Sequence, residues 1–264
     1  MEDLSTPLYA QNPQQRFSNR ADDYAKYRPS YPAAAIDQIL AGLNQTIAAD
    51  IGAGTGISAR LLADRGLAGG GIETVWAIEP NAAMYAVAQP HPQVKFRQGS
   101  AEHTGLEPRS VDLITCCQAF HWFEPIATLA EFHRILKPAG RLALMWNERD
   151  ETDPFTQEHN EIIRLAADRQ FFDSPSRKSA VPLAESSLFI NYGAYTVPFL
   201  QALTRESLVG LALSASYIPK EGAAHDQMIT DLQTLYERWV GRSAGDFVSL
   251  AYRTSLHLAD AKAL

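Results

Sequence analysis

Eight consecutive residues constrain this chain more than any others: Ala49-Asp50-Ile51-Gly52-Ala53-Gly54-Thr55-Gly56. An apolar run entering three alternating glycines describes a strand that turns tightly. Its backbone is bare enough there to meet a ligand, because no Cβ blocks the approach. The helix expected from Ile57 turns its free N–H groups back toward that point. A second apolar run, Val75-Trp76-Ala77-Ile78, ends on Glu79. Together the segments make a βαβ unit. An acidic side chain at the carboxyl end of its second strand can accept both hydroxyls of a ribose.

Such a pocket suits a nucleoside-bearing cofactor, and two kinds compete for it. The dinucleotide fingerprint is G-x-G-x-x-G, with a third glycine where the helix packs on the sheet. Here the spacing is G-x-G-x-G, and Ile57 holds that third position. Asp50 stands two residues before the first glycine, where more negative charge gains nothing for a pyrophosphate. A carboxylate there suits an ammonium group. S-adenosyl-L-methionine carries an ammonium, a ribose and an adenine but no phosphate, so these residues favour it.

The 264 residues carry a net charge of −7 and a pI near 5.5. Broad attraction to nucleic acid or an anionic membrane is therefore not expected. No run is long and apolar enough to span a bilayer, and Met1-Glu2-Asp3-Leu4 does not read as a signal sequence. The only cysteines are the adjacent Cys116 and Cys117, which suggest no disulfide framework and fit a reducing cytoplasm. Strand neighbours point to opposite faces, so the pair is not expected to share a metal ion.

Pro32 precedes Ile36, Ile39, Leu40 and Leu43 on one helical face. Strands are expected at 46–51, 74–79, 94–97, 111–117 and 141–146. Helices are expected at 57–65, stopped by Gly66, at 82–89 behind an Asn81 cap, and at 125–136. Further on, 155–168, 205–215 and 225–240 read as helices, and 195–199 and 247–256 as strands. Strands alternating with helices imply right-handed crossovers and a parallel sheet covered on both faces, with ligands at the carboxyl ends. His133, beside Ile126 and Leu129, is expected as a core histidine.

Five stretches carry a resemblance: FSNRADDYAKYRPSYP (17–32), DIGAGTG (50–56), AIEPNAAM (77–84), GSAEHTGLEPRSVDLITCCQAFHWFE (99–124) and ILKPAGRLALMWN (135–147). In order and spacing the chain resembles a class I S-adenosylmethionine-dependent methyltransferase, similar to the trans-aconitate methyltransferase-like enzymes that act on small molecules. The resemblance implies a doubly wound, Rossmann-like, mostly parallel seven-stranded sheet with helices on both faces and a helical cover. It implies one domain: an N-terminal flap over 1–32, a cofactor-binding core over 33–150, and a substrate cover with the last strands over 151–264.

Residue by residue, the resemblance implies that Gly52, Ala53, Gly54 and Gly56 meet the methionine tail through main-chain groups. Asp50 would hold its amino end through water. Glu79, with Pro80 beside it, would take the ribose hydroxyls, and Met84 would pack near the adenine. Ser100, Ala101 and Glu102 would border the adenine. Many relatives carry an acid at the Ser100 position, so that contact departs from the pattern. Gln118 and Ala119 would line the tail, the His121-Trp122 pair would sit beside the reacting methyl, and Tyr24 and Arg28 would belong to the flap.

The expected reaction is in-line displacement at the sulfonium methyl by a nucleophile on a small-molecule methyl acceptor. His121 offers a base near neutral pH, although a carboxylate acceptor needs none. Arg28 and Arg253 are the candidates to hold such a carboxylate. Two rivals are a non-catalytic protein that keeps the cofactor pocket, and a dinucleotide oxidoreductase. A nucleic-acid methyltransferase would need a basic groove or a base-gripping motif, and neither is visible.

Overall fold

The computed structural model describes residues 7–10, 17–44, 46–69, 71–168, 172, 179–242 and 245–263. Residues 1–6 and 11–16 of the expected flap lie outside them. Apolar runs form strands β1 (Thr46–Ile51), β2 (Ile72–Ile78), β3 (Val94–Arg97), β4 (Val111–Cys117), β5 (Leu136–Arg149), β6 (Phe189–Leu203) and β7 (Val248–Ala261). They build one seven-stranded sheet in the order β3-β2-β1-β4-β5-β7-β6. The neighbours from β3 to β5 pair parallel, and β7 runs antiparallel to both β5 and β6.

Helices α1 (Ala21–Tyr27) and α2 (Ala33–Leu40) precede the sheet, and α3 (Ile57–Gly69) and α4 (Ala82–Ala86) fill the first crossovers. Helix α5 (Pro125–Ile135) links β4 to β5. Helix α6 (Pro154–Ala166), the short α7 (Val181–Ala184), α8 (Arg205–Leu213) and α9 (Ala223–Val240) follow.

Each sheet face owns a core. Ile51, Ile78, Ile114 and Leu144 pack with Phe132 and Ile135 of α5 on one side. Val75, Leu113 and Ala143 meet Ile36 and Ile39 of α2 and Leu62 of α3 on the other. Each such buried aliphatic side chain contributes about 1.5–3 kcal/mol. Cys116 belongs to the first layer and Cys117 to the second, as strand alternation requires. A third cluster, with Ile163, Leu211, Leu232, Leu235 and Tyr252, lies under the cover helices.

Several boundaries differ from the expected ones. Helix α3 runs past Gly66, because a Cβ there would stand 2.3 Å from Ile72 Cγ1; the glycine lets the helix lie on the start of β2. Helix α4 ends at Ala86 and not near Gln89. Strand β5 begins at Leu136 and passes through Pro138-Ala139-Gly140, with Ala139 at a φ of 60°. Strands β6 and β7 reach 15 and 14 residues because they pair with one another almost end to end. His133 is not a core residue: it is half-buried, and its Nε2 lies 2.9 Å from the Lys262 carbonyl.

Candidate active site

A cavity of about 610 Å³ opens where the strands end, within the size range of small-molecule sites. Its wall takes Gly52 and Gly54 from the turn after β1, and Glu79, Pro80 and Met84 from the segment after β2. The loop after β3 adds Ser100, Ala101 and Glu102, and the end of β4 adds Gln118 and Ala119. Phe17 and Tyr24 of the N-terminal arm also line it, together with Trp122. The Phe17 ring meets Tyr24 and Trp122 edge-on, at centroid distances of 5.8 and 5.9 Å.

The glycine turn is shaped by close packing as well as by backbone freedom. Gly52 adopts a φ of 70°, and a Cβ on it would stand 2.6 Å from Ala119 Cβ and 2.8 Å from Phe123 Cζ. Gly54, at a φ of 57°, faces Met84, whose Cε would lie 3.3 Å from an added Cβ. Main-chain N–H groups of Gly52 and Ala53 both donate to the Ile78 carbonyl, which ties the turn to the end of β2.

Glu79 joins the two loops. Its carboxylate accepts from the Gly54 and Asn81 N–H groups, each at 2.8 Å, and is nearly buried. Burial pushes its pKa above the usual carboxylate range, while the two N–H donors pull the other way. Each oxygen keeps a lone pair for a further donor, which is what a ribose diol supplies. Glu102 accepts from the Glu124 N–H, and Glu124 caps α5 by accepting from the Ile126 and Ala127 N–H groups. Thus three carboxylates line the cavity, and the described lining residues include no lysine, arginine or histidine.

A narrow side recess shares Tyr24, Gly52, Cys117 and Gln118 with the main cavity, and adds Arg28, Ala53 and Asn147. Arg28 stacks over the Tyr24 ring at 4.8 Å, and its buried Nε has no hydrogen-bond partner. Gln118 takes a left-handed φ of 56°, rare for a residue with a side chain, and donates its amide to the Asn147 carbonyl at 3.1 Å. Such strain at the rim of a cavity is typical of sites held for a ligand.

A family model described as a methyltransferase domain matches residues 49–144. An uncharacterized methyltransferase of Mycobacterium tuberculosis is 36% identical over 202 residues, covering 76% of each chain. An uncharacterized methyltransferase-like protein of Schizosaccharomyces pombe is 34% identical over 210 residues, covering 77% of this chain and 78% of its own. The chain belongs to the S-adenosylmethionine-dependent methyltransferases. The fold agrees with a proposed type II methyltransferase of Anaeromyxobacter dehalogenans, at a TM-score of 0.60 and 21% identity over 89% of this chain and 98% of that one. It also agrees with the Haemonchus contortus phosphoethanolamine N-methyltransferase 2 solved with S-adenosyl-L-methionine, at a TM-score of 0.55 and 14% identity over 96% of this chain and 59% of that one.

In this methyltransferase four expected contacts fall elsewhere. Asp50 lies behind the glycine turn, fully buried, where it accepts from the Ser58 hydroxyl at 2.6 Å and the Thr115 hydroxyl at 2.8 Å. It braces the turn and does not reach the cavity wall. Burial pushes its carboxyl up to about 6 in spite of those donors. Gly56 faces away, with Phe96 Cζ 2.6 Å from the position of a Cβ.

His121 also leaves the wall. It sits in the Phe120–Trp122 turn behind Trp122, with ring centroids 4.8 Å apart, and the Trp146 indole N–H points at its Nδ1 at 3.4 Å. Arg253 lies on the exposed side of β7, 3.8 Å from Asp150.

Other wall residues carried weaker signals in the sequence. Asn81 is legible as a helix cap, and it also lines the cavity while its amide reaches the Ser18 hydroxyl. Cys117 is legible as a strand end; burial and the neighbouring Asp50 push its thiol pKa well up, so it is an inert wall. Tyr9 lines the cavity with no sequence signal, because only the fold of the arm brings it there.

Proposed function

We propose that the methyltransferase acts on a small-molecule acceptor bearing an oxygen, nitrogen or carboxylate nucleophile, and that the cavity holds its S-adenosylmethionine. One observation carries the second part: the wall has three carboxylates and no described cation. A pyrophosphate would be repelled there, whereas a cofactor with a sulfonium, an ammonium and a ribose is complementary. When bound, that cofactor supplies an electrophilic methyl on a neutral leaving sulfide.

The chain's own residues bind and align. Glu79 takes the ribose hydroxyls, and Met84, Ala101 and Glu102 border the base. Gly52, Ala53 and Gln118 meet the amino-acid tail, and Arg28 offers its unpartnered Nε to the tail carboxylate. Phe17, Tyr24 and Trp122 keep water from the reacting carbon, where proximity supplies most of the rate. Among the described residues no histidine stands at the wall to serve as base, which suits an acceptor already ionised.

Calorimetric titration with S-adenosylmethionine, S-adenosylhomocysteine and NAD tests the cofactor. Micromolar binding of the first two alone is expected. Tighter binding of NAD would overturn the reading. Transfer of labelled methyl to a panel of small carboxylates, phenols and amines then tests the acceptor.

A further inference from the structure

The displacement of Arg253 leaves open which cation faces the acceptor, and β5 answers it. Its last residue, Arg149, pairs across the sheet with Tyr252, as Asn147 pairs with Thr254. Residues two apart on a strand share a face and stand about 7 Å apart. Asn147 is anchored beside the cavity, since its carbonyl receives the Gln118 amide and its Oδ1 accepts from the Thr254 hydroxyl at 2.7 Å. A polar row therefore runs from Gln118 through Asn147 to Arg149, over a span that a molecule of a few carbons covers.

Arg149 has an unusual environment. Its guanidinium donates to Asn160 Oδ1 at 2.6 Å and lies 3.5 Å from the Tyr217 hydroxyl. Among the described residues it makes no ion pair. The acids next to it in sequence are engaged elsewhere: Glu148 accepts from the Ser255 hydroxyl at 2.8 Å, Asp150 from the Thr152 hydroxyl at 2.7 Å, and Glu151 accepts from the Asn160 amide and lies 3.7 Å from Arg164. Tyr252, buried beside it, donates its hydroxyl to Gln201 Oε1 at 3.1 Å, so that phenol adds no negative charge.

A part-buried cation with only neutral partners is costly unless an anion joins it. In a chain of net charge −7, an arginine with no ion pair among the described residues retains its charge for an anion.

We propose that Arg149, framed by Tyr217 and Tyr252, is the anchor that selects an acceptor carrying an oxyanion, carboxylate or phosphate. The inference rests on the functional reading above. The planar fork of the guanidinium matches either oxyanion in a bidentate contact. Arg149 fixes the acceptor's charged end, and the nucleophile lies toward Gln118 and Trp122.

The test uses the whole chain saturated with S-adenosylhomocysteine, titrated with citrate, glycerol 3-phosphate and the neutral succinamide. Binding of one anion and not of succinamide is expected; whichever anion binds names the oxyanion. Arg149→Gln should weaken that anion at least tenfold and leave S-adenosylhomocysteine within twofold of wild type. Arg149→Lys, which keeps the charge and loses the fork, should fall between them.

Failure of the wild type to bind S-adenosylhomocysteine would remove the functional reading itself. A wild type that binds it but neither anion, or that binds succinamide equally well, overturns the anchor alone. So does an Arg149→Gln or Arg149→Lys protein that is folded and binds the anion as tightly as wild type.

Discussion

At the scale of single residues, two buried carboxylates do opposite work. Glu79 faces the cavity, and its oxygens accept from the Gly54 and Asn81 N–H groups. Glu79→Gln keeps the shape and one acceptor but loses the charge. Charge-assisted hydrogen bonds are worth about 1.5–3 kcal/mol, so calorimetry should show cofactor affinity falling about 10- to 100-fold with melting little changed.

Asp50 is instead a structural brace with a pH signature. Its carboxyl is pushed from 3.8 to about 6 in the folded chain. The folded state thus holds a proton that the unfolded state releases. The associated stability is fully present below about pH 4 and is lost as pH rises through 6, about 3 kcal/mol in all. Urea melts between pH 4 and 7.5 should show this loss superimposed on other titrations, and Asp50→Asn should flatten it.

At the scale of elements, the N-terminal arm is bolted to the cover. Arg20 donates to the Leu213 carbonyl at 2.7 Å and also to the Ile218 carbonyl, while Lys26 and Tyr27 both reach Glu206. The Tyr27 ring presses on Gly210 of α8, where a Cβ would stand 2.3 Å from the ring carbons. Gly210→Ala must push the arm away. A cost of about 1–3 kcal/mol is expected, with faster hydrogen exchange over residues 17–30 and weaker cofactor binding. Unchanged exchange would show that the arm is held by other contacts.

These long-range contacts explain what was legible in the sequence. Strands at 46–51, 94–97 and 111–117 are read to the residue: burial on both faces gives the first and last nearly continuous apolar runs, and the edge strand 94–97 alternates half-buried with exposed residues. Glu79, Met84 and Trp122 reach the wall as expected, since the strand ends fix them. His121 and Asp50 do not, because one turn of chain or one residue of strand register decides which way a side chain points. Arg149 was invisible: nothing local tells an arginine paired with an acid from one kept apart from it. Strands β6 and β7 were read short for a related reason. Their outer halves are ordered by pairing with each other and not by an apolar run.

At the scale of the whole molecule, the sheet ends on an open edge. Strand β6 is that edge, its 15 residues include no charged side chain, and Leu200 on it is 66% exposed. Natural edges are usually guarded by charge, most often lysine. Leu200→Lys should leave stability within about 0.5 kcal/mol and slow aggregation on heating, which light scattering would follow.

The shared roof also bears on the order of events in turnover. The arm whose Phe17 and Tyr24 line the cavity is the same segment that packs on Gly210 of α8, whose Leu208 and Leu211 share a cluster with Tyr252. If the methyl donor fills that cavity as proposed, it supports Phe17 and Tyr24, and the acceptor meets a wall that the donor has helped to order. Steady-state kinetics should accordingly be sequential and ordered, with the methyl donor entering first and its demethylated product leaving last. Inhibition by S-adenosylhomocysteine should be competitive toward the donor and noncompetitive toward the acceptor.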